Sequence, residues 1–276
     1  MAVDLHCHTK LSDGSVGIED LIAMAKRRHL SAVAVTDHDT MAAAVRAVTI
    51  GRRMGVNVIH GVEFSAWDTA RGAKAHILCY LCDTPDRLEA LCRKVTDSRK
   101  KAAVEMVRRV MRYYPITPEL ITKCASGSTV IYKQHIMHAL MEAGYAGSIY
   151  GEVYEKLFGK EGAIQVKVDY PDVREALELI RSAGGIAVLA HPPLYGNEAL
   201  MEELTADGLL QGIEAYHPCC DEGDTARLLA FAATHELLVT GGTDFHGMYT
   251  DTPRPLGSLP VPDDLAEKLK AFKART

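Results

Sequence analysis

The chain has a single tryptophan among its 276 residues, and aromatic side chains make up only 6% of it. Trp67 alone is no stacking platform, so the sequence does not read as one that tracks long nucleic acid. Basic residues are in the minority, 31 Lys and Arg against 36 Asp and Glu, for a formal net charge of −5. A dedicated duplex-binding surface carries a basic excess, and its absence argues against one. A short anionic substrate stays compatible, because bound cations would reverse the local field. No apolar run reaches the roughly 18 residues of a membrane span. No charged segment and apolar stretch precede the first expected strand at Val3, so no signal peptide is expected and a cytoplasmic location is the simplest reading.

Cysteine is scarce in the sense that matters. There are seven, an odd number in a long chain, which does not suit a disulfide framework. Cys79 and Cys82 form a C-x-x-C without a second pair, on an expected strand where residues three apart face opposite sides. They read as buried thiols. Cys7 alternates with His6 and His8 and should point away from them into the barrel wall. The vicinal pair Cys219–Cys220 has no assigned role. Apolar residues at 47% and charged residues at 24% describe an ordinary globular protein with a sizeable core.

Strand-like and helix-like segments alternate from the N-terminus. Strands are expected at 3–8, 32–37, 56–64, 74–81, 185–190, 212–216 and 237–240, with helices at 18–28, 41–54, 172–183, 198–204, 221–235 and 263–275. Asp83-Thr84-Pro85 reads as a cap followed by a first-turn proline, opening a helix to about residue 113. From 115 to 162 no strand pattern appears. Short helices are expected there at 132–143 and 149–158, broken by Gly144, Gly147 and Gly151. Repeated βα units suggest a parallel barrel or a doubly wound sheet. The organisation is a barrel domain from 1–114 and 163–276, with 115–162 as a helical insertion over its mouth.

Nine ligand-type residues fall at the ends of these strands: His6, His8, Asp13, His38, Glu63, His76, His191, Asp244 and His246. Side chains repeat every two residues on a strand, so His6-x-His8 and Asp244-x-His246 each present both groups to one face. Any one strand-end histidine more often meets solvent than a metal; the joint pattern is the specific signal. Ligands ending at least six strands favour a barrel, in which the strands open onto one face. Mixed imidazole and carboxylate donors suit Mn, Fe or Zn. Nine exceed the three or four of one mononuclear site, enough for two or three ions. Such a centre points to metal-assisted hydrolysis, most often of a phosphate ester.

The motifs Asp4-Leu5-His6-Cys7-His8-Thr9, Ser12-Asp13-Gly14, Thr36-Asp37-His38-Asp39, Gly61-Val62-Glu63, His76, Ala190-His191-Pro192 and Thr243-Asp244-Phe245-His246-Gly247 together resemble those of the PHP (polymerase and histidinol phosphatase) family. The resemblance spans nearly the whole chain. It implies an α/β fold, a distorted (β/α)7 TIM-like barrel, with a trinuclear site. It would place His6, His8, Glu63 and Asp244 on one metal. Glu63 would bridge to a second held with His76 and His191, and Asp13, His38 and His246 would hold a third. The insertion is similar to that of small stand-alone family members acting on nucleoside 3′,5′-bisphosphates or on short oligonucleotides from the 5′ end. Those often carry Arg-Pro-His at the start of an insertion helix, where this chain has Lys133-Gln134-His135. Lysine keeps the charge but lacks the planar fork.

The expected activity is therefore hydrolysis of a phosphate monoester by a hydroxide bridging two metals, with Glu63 and Asp13 central to catalysis. The favoured substrate is the 3′-phosphate of a nucleoside 3′,5′-bisphosphate or the 5′ end of a short oligonucleotide. The alternatives are another hydrolase, such as a histidinol-phosphate phosphatase or an amide-bond hydrolase, and an inactive metal- or nucleotide-binding module. His217, ending the strand I-E-A-Y-H, is a candidate for binding phosphate or protonating the leaving oxygen. Lys133 and His135, about 200° apart on a helix, could both reach a ligand only from its N-terminus. Arg71, Lys74 and Arg254 could reach the mouth but also read as ordinary surface charge; Arg254 is kept as a substrate-binding candidate. Asp39 fits a partner of a metal ligand or, better, a helix cap. His29, His60, His138 and His235 read as structural.

Overall fold

The computed structural model describes residues 2–275. The chain runs β1 (Val3–Asp4), α1 (Ile18–Arg27), β2 (Ala32–Val35), α2 (Ala44–Met54), β3 (Val58–Asp68), β4 (Ala73–Tyr80), a 3₁₀ turn (Pro85–Leu88) and α3 (Glu89–Val110). Three short helices follow, α4 (Pro118–Cys124), α5 (Lys133–Glu142) and α6 (Glu152–Phe158). Then come α7 (Val173–Ser182), β5 (Ile186–Leu189), α8 (Pro192–Tyr195), α9 (Glu198–Ala206), β6 (Gly212–Tyr216), α10 (Glu222–Thr234), β7 (Leu238–Gly241) and α11 (Leu265–Lys273). The helices that cover the barrel bury stripes at i, i+3, i+4 and i+7, as Ile18, Leu21, Ile22 and Ala25 do on α1. The expected cap at Asp83-Thr84 is not made. Thr84 Oγ1 instead donates to the Ala183 carbonyl at 3.2 Å.

The seven strands lie in chain order in one sheet. The gap between β7 and β1 is spanned just beyond their ends. There Leu5 N–H donates to the Gly241 carbonyl at 3.0 Å and His8 N–H to that of Phe245 at 2.9 Å. A Cβ on Gly242 would stand 2.4 Å from the His6 nitrogen, so this closure needs glycine. The result is the distorted (β/α)7 barrel of the sequence reading, with one departure from a parallel sheet: β4 pairs antiparallel with both β3 and β5. β3 continues past its expected end to Asp68, leaving only four residues before Ala73. That is too short for a parallel crossover, so a hairpin is forced. His76 therefore reaches the mouth from the beginning of its strand rather than the end.

Leu78, Tyr80, Val188 and Ala34 fill the lower barrel and meet Leu265 and Leu269 of α11, which closes the end opposite the mouth. Helices α4 to α6 share an apolar cluster, in which Ile121, Ile136, Leu140, Leu157 and Phe158 pack on Met106 and Val110 of α3 and on Tyr249. The first half of α3 packs instead through Leu91 and Cys92, beside Leu88 of the 3₁₀ turn, on the barrel cluster. Among the described residues no helix is long and apolar enough to cross a membrane.

Candidate metal centre

His6 and His8 sit on the segment just past β1, and buried carboxylates fix that segment. Asp37 accepts from Thr9 N–H and Oγ1 at 2.7 Å each and from Ser12 Oγ at 2.6 Å, holding the loop that carries Asp13. Asp4 accepts from Thr243 N–H at 2.9 Å and Gly257 N–H at 2.7 Å, tying the T-D-F-H loop to β1. Three non-glycine residues here adopt positive φ: Asp39 at 52°, His191 at 30° and Asp244 at 50°. Left-handed backbone at such positions persists only where the surroundings enforce it, and it collects at functional sites.

All nine ligand-type residues converge at the mouth. Glu63 lies at the centre. Its Oε2 is 3.3 Å from Nε2 of both His6 and His8 and 3.1 Å from His38 Nδ1. Its Oε1 is 2.7 Å from His76 Nδ1 and 3.0 Å from His191 Nε2. Asp244 Oδ1 stands 3.4 Å from His6 and 3.1 Å from His8. Asp13 stands 3.2 Å from His246 and 3.9 Å from His38. Four groups place one donor atom from each member within 4.8 Å of the others: His8/Asp13/His38/His246, His6/His8/Asp244, His6/Glu214/His217 and His38/Glu63/His76. His6, His8 and His38 each belong to two of them, as adjoining ion sites would require.

The donor set fits divalent cations on a test internal to the structure. Buried polar atoms are almost always hydrogen-bonded. Apart from the hydroxyls of Thr205 and Thr240, every orphaned buried side-chain N or O atom among the described residues lies in this cluster: on His6, His8, Asp13, His38, His76, His191 and His217. Burial alone would raise the Glu63 carboxyl, yet His38, His76 and His6 hold it well below the usual carboxylate range. Asp13 and Asp244 are likewise held down against burial, chiefly by His246. Two deeply buried ionised carboxylates and a third, Asp244, that is only partly exposed need positive charge beside them.

Glu214 was missed by sequence reasoning. It accepts from His6 Nδ1 at 2.9 Å and from the His191 backbone N–H at 2.9 Å. It thereby turns the His6 Nε2 lone pair towards Glu63 and Asp244. A charged residue between Ile213 and Ala215 of a buried strand was the signal. His217 is buried and differs from the nine. Its Nδ1 accepts from Cys219 N–H at 3.1 Å, so in the neutral ring Nε2 carries the proton, and it faces Asp244 Oδ2 at 3.4 Å.

Above the cluster lies a cleft of about 670 Å³, lined by Lys74, Arg99, Lys133 and Gln134 and by Tyr132, Tyr150, Tyr154, Tyr170 and Tyr195. The poverty in aromatics is thus misleading: tyrosines scattered through the sequence gather at one mouth. Arg99 donates from Nε and Nη2 to Asp39 Oδ2 at 3.2 and 3.1 Å, and from Nη2 to Ser65 Oγ at 2.6 Å. Asp39 also accepts from Ser65 N–H at 2.9 Å, so it anchors Arg99 and does not cap α2. Lys74 is half-buried on β4, not an ordinary surface charge, and burial and the neighbouring Arg99 push it down to about 8.

Two expected substrate contacts are corrected. His135 is buried, its Nδ1 accepts from Tyr132 N–H at 3.1 Å, and burial pushes it down to about 4. It closes the start of α5 as a neutral ring and does not line the cleft. Arg254 pairs with Asp251 at 2.8 Å, away from the cleft. Arg71 is likewise occupied, by Asp68 at 2.9 Å and by Glu203.

Comparison with known proteins agrees with this geometry. Residues 4–187 match the PHP domain family. A phosphoribosyl 1,2-cyclic phosphate 1,2-diphosphodiesterase from Eggerthella lenta is 36% identical over 92% of this chain and 97% of its own. A 3′,5′-nucleoside bisphosphate phosphatase from Chromobacterium violaceum is 27% identical over 88% of this chain and 89% of its own. The crystal structure of a candidate metal-dependent phosphoesterase from Bifidobacterium adolescentis superposes with a TM-score of 0.87 at 28% identity, covering 98% of this chain and 95% of that one.

Proposed function

Since the chain belongs to the PHP family and is a metal-dependent phosphoesterase, we propose that it hydrolyses a phosphate ester on a ribose that carries a second phosphate. A nucleoside 3′,5′-bisphosphate is the favoured substrate. The observation that carries this is the cleft: ligand-type side chains at its floor, cations and tyrosine faces on its walls, and a volume of about 670 Å³ suited to one small ligand. Tyrosine faces suit a nucleobase. The two relatives' names point the same way, one to a phosphoribosyl cyclic phosphate and the other to a nucleoside bisphosphate.

On this reading two or three Mn, Fe or Zn ions are held by His6, His8, Glu63 and Asp244, by Glu63, His76 and His191, and by Asp13, His38 and His246. When bound, the ions supply a nucleophile near neutral pH and neutralise charge on the phosphoryl oxygens. The rest falls to the chain. Glu63 sets the spacing of the donors around it. Glu214 and Asp37 hold His6 and the Asp13 loop in place. His217, with its proton on Nε2, donates a hydrogen bond that stabilises charge on the leaving oxygen, and water supplies the proton. Residues 115–162 act as a cover for the mouth. In support, Ser128 Oγ donates to the Ser12 carbonyl at 2.6 Å and Gln134 Nε2 to Asp13 Oδ2 at 3.1 Å, which seats the insertion on the loop carrying Asp13.

A second reading takes the phosphoribosyl cyclic phosphate itself as substrate. It is favoured by the 36% identity to the Eggerthella lenta protein and by the withdrawal of His135 from the cleft. A substrate panel on the Mn-loaded protein tests both: adenosine 3′,5′-bisphosphate, AMP, phosphoribosyl 1,2-cyclic phosphate, a 5′-phosphorylated trinucleotide and histidinol phosphate. Either doubly phosphorylated ribose should exceed AMP in kcat/KM by about tenfold or more, a gap of about 1.4 kcal/mol. Equal efficiency on AMP, or a preference for histidinol phosphate, overturns the proposal.

A further inference from the structure

The β3–β4 hairpin stacks its mouth-facing side chains in layers. Its register pairs Glu63 with Leu78, Ser65 with His76 and Trp67 with Lys74. Residues two apart on a strand share a face, and two residues advance about 7 Å. Lys74 therefore rises one layer above His76, over the cluster and on the same face.

Glu63, Asp39 and Asp13 act on it only from beyond ion-pair distance. No carboxylate lies within ion-pair reach of Lys74, and its one hydrogen bond is to the Tyr195 hydroxyl at 3.3 Å. An ammonium has three donors, so the other two lack protein partners. The Nζ lies 5.7 Å from the Tyr170 ring centre and 5.2 Å from that of Tyr195. Arg99 lies 5.3 Å from the same Tyr170 ring. Its Nε and Nη2 are engaged by Asp39 and Ser65 and the Tyr170 hydroxyl bonds to the same guanidinium, while Nη1 meets no carboxylate. Two cations thus flank one ring, with a carboxylate for only one of them. Half-burying an unpaired charge beside a like charge is costly unless an anion completes the set. The insertion's own cation is differently placed: Lys133 Nζ donates to the Phe158 carbonyl at 3.3 Å and lies 5.4 Å from the Phe158 ring centre.

We propose that Lys74, with Nη1 of Arg99 beside it, is the subsite for the substrate's second phosphate, and that this subsite belongs to the barrel rim rather than to the insertion. The phosphoryl group being hydrolysed occupies the layers of Glu63 and of His76, and the second anion occupies the layer of Lys74 above them. This rests on the phosphoesterase reading of the site.

The test compares adenosine 3′,5′-bisphosphate with 4-nitrophenyl phosphate on Mn-loaded wild type, Lys74→Met, Lys74→Arg and Lys133→Met. Metal content and melting temperature serve as checks on folding. Lys74→Met should raise KM for the bisphosphate about tenfold or more, in line with a lost charge-assisted hydrogen bond, and leave the aryl phosphate within about twofold. Lys74→Arg should restore most of the loss, and Lys133→Met should change the bisphosphate by less than about threefold. An equal loss on both substrates, no loss on either, or a larger effect from Lys133→Met overturns the assignment. If wild type hydrolyses neither compound, the bisphosphate reading of the substrate fails instead. Calorimetric binding of the bisphosphate then decides the subsite, with about tenfold weaker binding by Lys74→Met expected and unchanged binding refuting it.

Discussion

Replacing Glu63 by glutamine preserves the size of the side chain and removes one negative charge and one ligand oxygen. Few substitutions in this protein concentrate so much change in two atoms. The carboxylate meets five imidazoles: Oε2 faces His6, His8 and His38, and Oε1 faces His76 and His191. Glutamine puts an amide nitrogen, a donor, against at least two of those rings, and it can neither ligate from that side nor balance an ion. Removing one partner of a buried charged set costs about 3–5 kcal/mol. If that cost falls on the reacting complex, kcat drops by roughly a hundredfold to a few thousandfold. The assay is steady-state phosphate release at saturating Mn²⁺, with bound metal counted on the same sample. We expect a loss of at least about 100-fold, with fewer ions per chain. A variant that keeps near-wild-type turnover and full metal content refutes the bridging role.

Other consequences follow from the supporting residues. Asp4→Ala leaves the buried N–H of Thr243 and the part-buried N–H of Gly257 without their acceptor. At about 1–3 kcal/mol for each unsatisfied group and about 2–4 °C per kcal/mol, Tm should fall by about 10 °C in calorimetry, and an unchanged Tm contradicts the clamp. His217→Asn should cost about 100-fold on a nucleotide substrate, whose leaving oxygen develops more charge, but little on 4-nitrophenyl phosphate. A uniform loss would make His217 a structural group. Chelation should abolish turnover and Mn²⁺ should restore it. Because imidazole must be neutral to ligate, acid competes with the ions, so metal content and rate should fall together as pH drops below about 6. A rate that survives complete metal removal contradicts the account.

Much of the site was legible because its chemistry is written in short range. His6-x-His8 and Asp244-x-His246 follow from the period of a strand, His38 and His191 come just past strands that the apolar pattern marks, and Glu63 and His76 lie within two more. The reversal of β4 was hidden by one misjudged boundary. With β3 ending at residue 64, the link to β4 looks like a loop; with β3 running to Asp68, four residues remain and only a hairpin is possible. The cleft walls were beyond local reading. Arg99 lies within a 22-residue helix, and its partners Asp39, Ser65, Tyr132 and Tyr170 are brought to it by tertiary packing alone. His135 misled because Tyr132 is not a usual capping residue, so a histidine that closes a helix start looked free to meet substrate. Glu214 could have been found, since a carboxylate inside a buried strand needs a partner.

The central claim is that these side chains form one multinuclear centre. Anomalous diffraction from a crystal of the Mn-loaded protein tests it most directly. The account predicts two or three anomalous peaks at the barrel mouth, bonded together by at least seven of His6, His8, Asp13, His38, Glu63, His76, His191, Asp244 and His246. Peaks ligated by fewer than five of those residues, or no peak at the mouth, would contradict it.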